Sequence, residues 1–121
     1  MAKNYVSEGR FINAAATDPA TPVSGDPVRV GEIPGVAITN EGAGDNAADE
    51  TTICISGIFN LQVKGVDGSG NSAVAPGDRI YYVDADTPKL SKKATGRLYG
   101  KALGAVTSGA TATIPVLLVQ A

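Results

Sequence analysis

The sequence predicts an all-β fold: a compact small β-barrel or sandwich of about eight to ten short strands, preceded by an extended N-terminal arm. Three observations carry the prediction. Fifteen glycines and seven prolines are spread along 121 residues, leaving few uninterrupted windows of the roughly 10 to 12 residues that a helix takes. From Phe59 to Lys64, apolar Phe59, Leu61 and Val63 alternate with polar Asn60, Gln62 and Lys64, the period of a strand with one wet face. Finally, Gly-Asp and Pro-Gly pairs stand repeatedly just ahead of short apolar runs, where the chain has to turn. A chain of this length supports one core rather than two domains of ordinary size.

Residues 1–22 read as the arm. They carry short strand signals at Tyr5 and Val6 and at Phe11 and Ile12, then a small-residue stretch with little to bury. On these residues alone, a frayed tail and a docking arm are both open. Residues 23–121 read as a single β-domain. Val28 and Val30 flank Arg29 in its first strand, Pro34-Gly35 supplies the turn pair of a type II turn, and Val36 to Thr39 returns. The acidic, Gly- and Ala-rich stretch from Asn40 to Glu50 predicts a surface loop with one helical turn near its end.

The apolar run from Thr51 to Phe59 holds the single cysteine, Cys54, as a small core residue. After the strand at Phe59 to Lys64, residues 67–72 predict a flexible loop, and Pro76-Gly77-Asp78 opens a strand at Arg79 to Val83. Residues 84–90 turn the chain and residues 96–103 return it. The last strand contains Pro115, which lacks an N–H, so it is expected at a sheet edge or at a bulge.

Two stretches share one grammar. Gly25-Asp26 leads into a strand, then Gly35-Val36-Ala37-Ile38, a Gly-containing loop and a Thr-led apolar strand; Gly77-Asp78 leads into a strand, then Gly100-Lys101-Ala102-Leu103, a loop and a Thr-led apolar strand. This marks an internal pseudo-repeat over 23–63 and 74–119. The spacing is unequal, 52 residues between the Gly-Asp pairs and 65 between Gly35 and Gly100, so an old duplication and a reused hairpin recipe both remain open. Either way Gly supplies positive φ and Asp bonds nearby N–H groups at the strand entrance.

Composition narrows the function classes. One cysteine excludes a disulfide within the chain and matches folding in a reducing cytoplasm. No run approaches the roughly 18 apolar residues of a membrane helix, and the first ten residues have no apolar signal core, so no membrane partner and no classical export are expected. A net charge of -2 leaves no basic footprint for nucleic acid.

Histidine is absent, and neither a paired-carboxylate nor a Ser-Lys motif surrounds any candidate nucleophile, so no catalytic residue is assigned and the chain reads as a non-enzyme. Asp67, Ser69, Asn71 and Asp78 fall on positions of a calcium loop, but Ser72 stands where Gly is required and Asp where the bidentate Glu belongs. Asp84 and Asp86 precede Thr87-Pro88 and read as turn residues. The Gly-rich loops lack the Lys-Ser/Thr ending of a phosphate loop. No cofactor or metal is therefore expected.

Charge is uneven along the chain. Residues 1–50 hold eight acids and three bases, a balance of -5, and the rest holds seven bases and four acids, +3. Lys89, Lys92, Lys93, Arg97 and Lys101 supply most of the positive charge, either as a solvated hairpin or as a basic rim that meets an acidic surface of a neighbour.

Taken in order, KNYVSEG at the start, PVSGDPVRVGEIPGVAIT, GIFNLQV, VAPGDRIYYVDADTPKLS and GKALGAV resemble the small capsid cement, or decoration, proteins of tailed bacteriophages. More narrowly, they resemble a cement family long catalogued as a domain of unknown function. The resemblance spans nearly the whole chain. It implies a β-rich module, made in the host bacterial cytoplasm, that sits as a homotrimer on the outer surface of the head at threefold and quasi-threefold positions and clamps the major capsid protein.

It also implies a capsid-binding arm, which maps here to Asn4, Tyr5, Val6, Arg10, Phe11 and Ile12. A longer TDPAT stretch before Val23 and the acidic loop depart from the pattern. The alternative is a small β-barrel module that binds carbohydrate or a host surface from the virion. A cluster of exposed aromatics among Tyr5, Tyr81, Tyr82, Tyr99, Phe11 and Phe59 would mark it.

Overall fold

The computed structural model describes residues 10–15, 17, 19–42 and 50–119. Their strands are β1 (Phe11–Ala14), β2 (Pro27–Val30), β3 (Ile33–Ala37), β4 (Thr51–Cys54), β5 (Ile58–Lys64), β6 (Val66–Asp67), β7 (Gly70–Asn71), β8 (Arg79–Tyr82), β9 (Leu90–Ser91), β10 (Arg97–Ala102) and β11 (Thr111–Leu118). The first four form an antiparallel sheet in the order β1-β4-β3-β2. The barrel closes in the order β10-β11-β5-β9-β8, and β6 pairs with β7 as a separate hairpin. The fold is thus a small all-β domain, as composition and periodicity predict. The strands beyond the expected number are two-residue pieces, too short to show a period.

Alternation places the core. In β5, Leu61 and Val63 are buried while Asn60 and Gln62 are exposed; in β11, Ile114, Val116 and Leu118 point inward. They meet Ile80, Tyr82, Leu90 and Tyr99 inside the barrel. A smaller core of Val28, Ala37 and Ile53, with Ile12 and Ala14 packed against it, lies on one face of the open sheet.

The two Gly-Asp turns are built alike. Gly25 and Gly77 share a φ of +94°. The Asp26 carboxylate accepts the Val23 N–H at 2.9 Å, and the Asp78 carboxylate accepts the Ala75 N–H at 2.8 Å. Gly25 donates to the Ala37 carbonyl and Gly77 to the Ala102 carbonyl, each at 2.7 Å. The strand order is shared as well: β1-β4-β3-β2 runs as β5-β11-β10-β8 does. What differs is β9, which arises from residues 83–96 between β8 and β10, pairs parallel with β5 and antiparallel with β8, and so closes the barrel. In the open sheet only Gly31 and Glu32 separate β2 from β3.

Three local expectations change. The hairpin turns at Gly31-Glu32, and Pro34 and Gly35 lie inside β3. Gly31, at φ +59°, suits the first position of a two-residue hairpin loop. Gly35 instead permits close packing, because a Cβ there would collide with the Ile53 side chain. Pro115 does not lie at an edge: β11 is flanked by β10 and β5. Its carbonyl accepts the Leu103 N–H at 2.9 Å, just past the end of β10, so the missing N–H falls where that ladder stops. Residues 67–71 belong to the β6–β7 hairpin that Val66 opens, with the register Val66↔Asn71 and Asp67↔Gly70 and the Asp67 carboxylate accepting the Ser69 N–H at 2.8 Å, in place of the expected loop. The expected helical turn before Glu50 lies outside the described residues.

A polar seam joins the open sheet to the barrel. Val36 of β3 belongs to the barrel core. The buried Tyr99 hydroxyl donates to the Gly35 carbonyl at 2.5 Å. Arg29 is 1 % exposed; its Nε donates to the Gly31 carbonyl at 3.1 Å and its Nη1 to the Leu98 carbonyl at 2.5 Å. Arg97 reaches the same Gly31 carbonyl at 3.0 Å. Burial pulls the Arg29 guanidinium below its ordinary value, Glu32 opposes this and Arg97 adds to it. An arginine nevertheless keeps its charge, and fixed carbonyl dipoles replace its water.

Candidate functional site

Of the arm residues implied by resemblance, Asn4, Tyr5 and Val6 lie outside the described residues. Arg10 immediately precedes β1, and Phe11 and Ile12 open it; β1 pairs with β4 in the register Phe11↔Cys54 and Ile12↔Ile53. The three side chains part company there. Ile12 packs on the small core of the open sheet, so it anchors the strand. Phe11 is 48 % exposed, with the Arg10 guanidinium 5.7 Å from its ring centroid, and these two remain available to a partner. Because Ile55 donates its N–H to the Arg10 carbonyl, the antiparallel alternation turns the Phe11 and Asn13 main chain away from β4. Among the described residues no strand pairs with that outer side.

The basic residues are mostly engaged at home. Lys92 meets Asp78 at 3.4 Å and Lys93 meets Asp86 at 2.7 Å. Lys89 donates to the Asp84 carbonyl at 2.7 Å. The Ala75 N–H holds the Asp78 carboxyl below its usual value; burial opposes this, and Lys92 adds to the lowering. Lys101 and Arg79 sit opposite each other on β10 and β8 and are both exposed.

Beside them lies a feature that the sequence reading missed. On the barrel exterior Ile58 pairs with Leu117, which pairs with Lys101, which pairs with Arg79. In the next row Pro115 stands between Asn60 and Leu103. Ile58 is 59 %, Leu103 43 % and Leu117 37 % exposed. The other end of the same wall is polar, with Gln62 opposite Thr113 and Lys64 opposite Thr111. The signal was present in the alternation itself, since Ile58 shares the parity of Asn60 and Gln62, and Leu117 that of Thr111 and Thr113. Ile58, Leu103, Pro115 and Leu117 thus form an apolar stretch at outward positions of the wall.

Tyr5 lies outside the described residues, and among the described residues the aromatics do not form an outward cluster. Tyr82 and Tyr99 are buried, with ring centroids 6.1 Å apart, Tyr81 and Phe59 are half-buried, and Phe11 lies on the open sheet. Among the described residues no three His, Cys, Asp or Glu side chains gather as metal ligands. The Cys54 thiol is buried and contacts the Ser56 carbonyl at 3.1 Å.

Among the described residues the chain thus presents an edge strand, β1, and an apolar stretch on the outer wall of the barrel. The chain belongs to the phage cement protein family, whose model it matches over residues 6–118. It is thereby a structural, capsid-associated protein of a phage virion. The match begins at Val6, so Asn4 and Tyr5 precede it. No similar chain is found among curated proteins, and none among solved structures.

Proposed function

We propose that this cement protein binds the outer surface of the assembled head as a trimer at threefold and quasi-threefold positions, and that residues 1–22 serve as its arm onto the major capsid protein. The supporting observation is the continuity between the arm and β1, which leads the chain onto an exposed edge of a family-matched β-domain. Asn4, Tyr5 and Val6, with Arg10 and Phe11, supply the contacts, and Ile12 fixes the base of the arm. An extended segment adds main-chain hydrogen bonds to a partner sheet with few side-chain anchors. Three arms on one trimer raise the effective concentration of each. Shell stabilisation follows by mass action when binding favours the assembled head over its dissociated subunits.

The test uses expanded heads that lack the protein. The full chain is expected to co-sediment with them and to raise their resistance to heat. A variant lacking residues 1–9 keeps β1, so it is expected to stay folded while binding heads at least about tenfold more weakly, the loss of a few anchor contacts. Equal binding by this variant removes the arm from the proposal, and no binding by the full chain removes the proposal itself.

A further inference from the structure

We infer that the open sheet is a barrel short of its closing strand, and that an extended segment of the major capsid protein supplies it, entering between β1 and β2 parallel to β1. The inference rests on the capsid-binding reading above and names what that contact is made of. The two halves of the chain match in register. Phe11↔Cys54 answers to Ile58↔Leu117, Ala37↔Ile53 to Ala102↔Val116, and Val28↔Gly35 to Ile80↔Gly100. Beyond the strands, the Glu41 N–H meets the Pro22 carbonyl at 3.2 Å, as the Val106 N–H meets that of Val74 at 3.0 Å. In the two sheets so matched, only β9 has no counterpart among the described residues.

The barrel shows what the place takes. There β9 runs parallel to β5 and antiparallel to β8, and it puts the fully buried Leu90 into the core. Around the same place in the open sheet, Ala14 and Val30 are half-buried, whereas Leu61 and Tyr82, which stand at their positions in the barrel, are larger and buried. The main chain agrees. Phe11 and Asn13 face away from β4, and Arg29, between the bonded pairs of the β2–β3 ladder, faces away from β3. Residues 1–9 lead directly into β1, and a parallel neighbour from the same chain needs a crossover of roughly a dozen residues or more. The strand therefore comes from another chain. The capsid protein is its source because the arm that meets it continues into β1, so a segment held by the arm has only to run on along that edge, at high effective concentration. Main-chain bonds then supply affinity, and one apolar side chain in the place of Leu90 supplies specificity.

The experiment is hydrogen exchange of the full chain, free and bound to expanded heads that lack it, read by mass spectrometry. Exchange at Phe11, Asn13 and Arg29 is expected to slow at least about tenfold on binding, while β11 is unchanged. A photo-crosslinking amino acid in place of Ala15, exposed just past β1, is expected to form an adduct with the major capsid protein. Asn13→Pro deletes an N–H that β4 does not use. It is expected to leave the circular dichroism spectrum unchanged and to weaken head binding about tenfold, the worth of one desolvated hydrogen bond. Asn13→Ala keeps that N–H and should bind as the wild type does. Unchanged exchange at Phe11 and Asn13 in the bound chain, equal binding by a folded Asn13→Pro, or no capsid adduct overturns the inference and leaves the arm standing. An adduct that joins two copies of this chain gives the place to a second copy and overturns it as well. No binding of the full chain to heads removes the capsid reading and this inference together.

Discussion

Tyr99 shows how one atom ties two sheets together. Its hydroxyl donates to the Gly35 carbonyl inside the protein, where neither group has water as an alternative. Tyr99→Phe is expected to lower stability by about 1–3 kcal/mol, the cost of leaving a buried acceptor unmet, as read by urea denaturation. Burial, with Tyr82 nearby, raises the Tyr99 phenol well above its ordinary value. The folded chain therefore keeps this proton while the unfolded chain releases it near pH ~10. The unfolded state then binds fewer protons, so the contribution of Tyr99 is complete below that pH and is lost as pH rises beyond it. In the same titration Tyr99→Phe is expected to show a shallower alkaline decline than the wild type.

Among the strands, β9 has a role out of proportion to its length. Two residues, Leu90 and Ser91, bridge β5 and β8 and remove the barrel's edges. Leu90 is fully buried in the barrel core. Leu90→Ala is expected to cost about 2–5 kcal/mol and to speed hydrogen exchange along the facing edges of β5 and β8 more than along β11. Equal acceleration in all three strands would show that β9 is not a local latch. Sequence made β5 and β11 legible, because long strands with one wet face write their period into the chain. It left β9 illegible, because two residues carry no period and closure depends on partners far apart in sequence.

Arg29 was hidden for a different reason. Alternation between Val28 and Val30 reads as an outward residue, yet the barrel covers that second face of the sheet. The Gly-Asp turns were fully readable, since their hydrogen bonds are local. The candidate surface was readable only in part: arm residues came from resemblance, and the apolar wall needed the strand register to join Ile58, Leu117 and Leu103.

The seam makes stability a shared property of the open sheet and the barrel. Val36 enters the barrel core, while Arg29 and Arg97 converge on the Gly31 carbonyl. Arg29→Ala is expected to cost about 2–4 kcal/mol by leaving the Leu98 carbonyl without its side-chain donor, the Gly31 carbonyl with Arg97 alone and a cavity in the seam. It should also turn a single unfolding transition into one in which β2 and β3 lose exchange protection before the barrel does. Loss of protection in both sheets at once would show that the seam does not set the coupling.

Barrel closure bears on life at a crowded surface. Copies held side by side on a shell experience very high local concentration, the condition under which unpaired strand edges recruit one another into fibres. A barrel sealed by β9 offers no such template, and Pro27 at the start of the outermost strand β2 removes an N–H from the open sheet. Neighbours can then touch through side chains without templating aggregation, and β1 remains the place where main-chain pairing is invited.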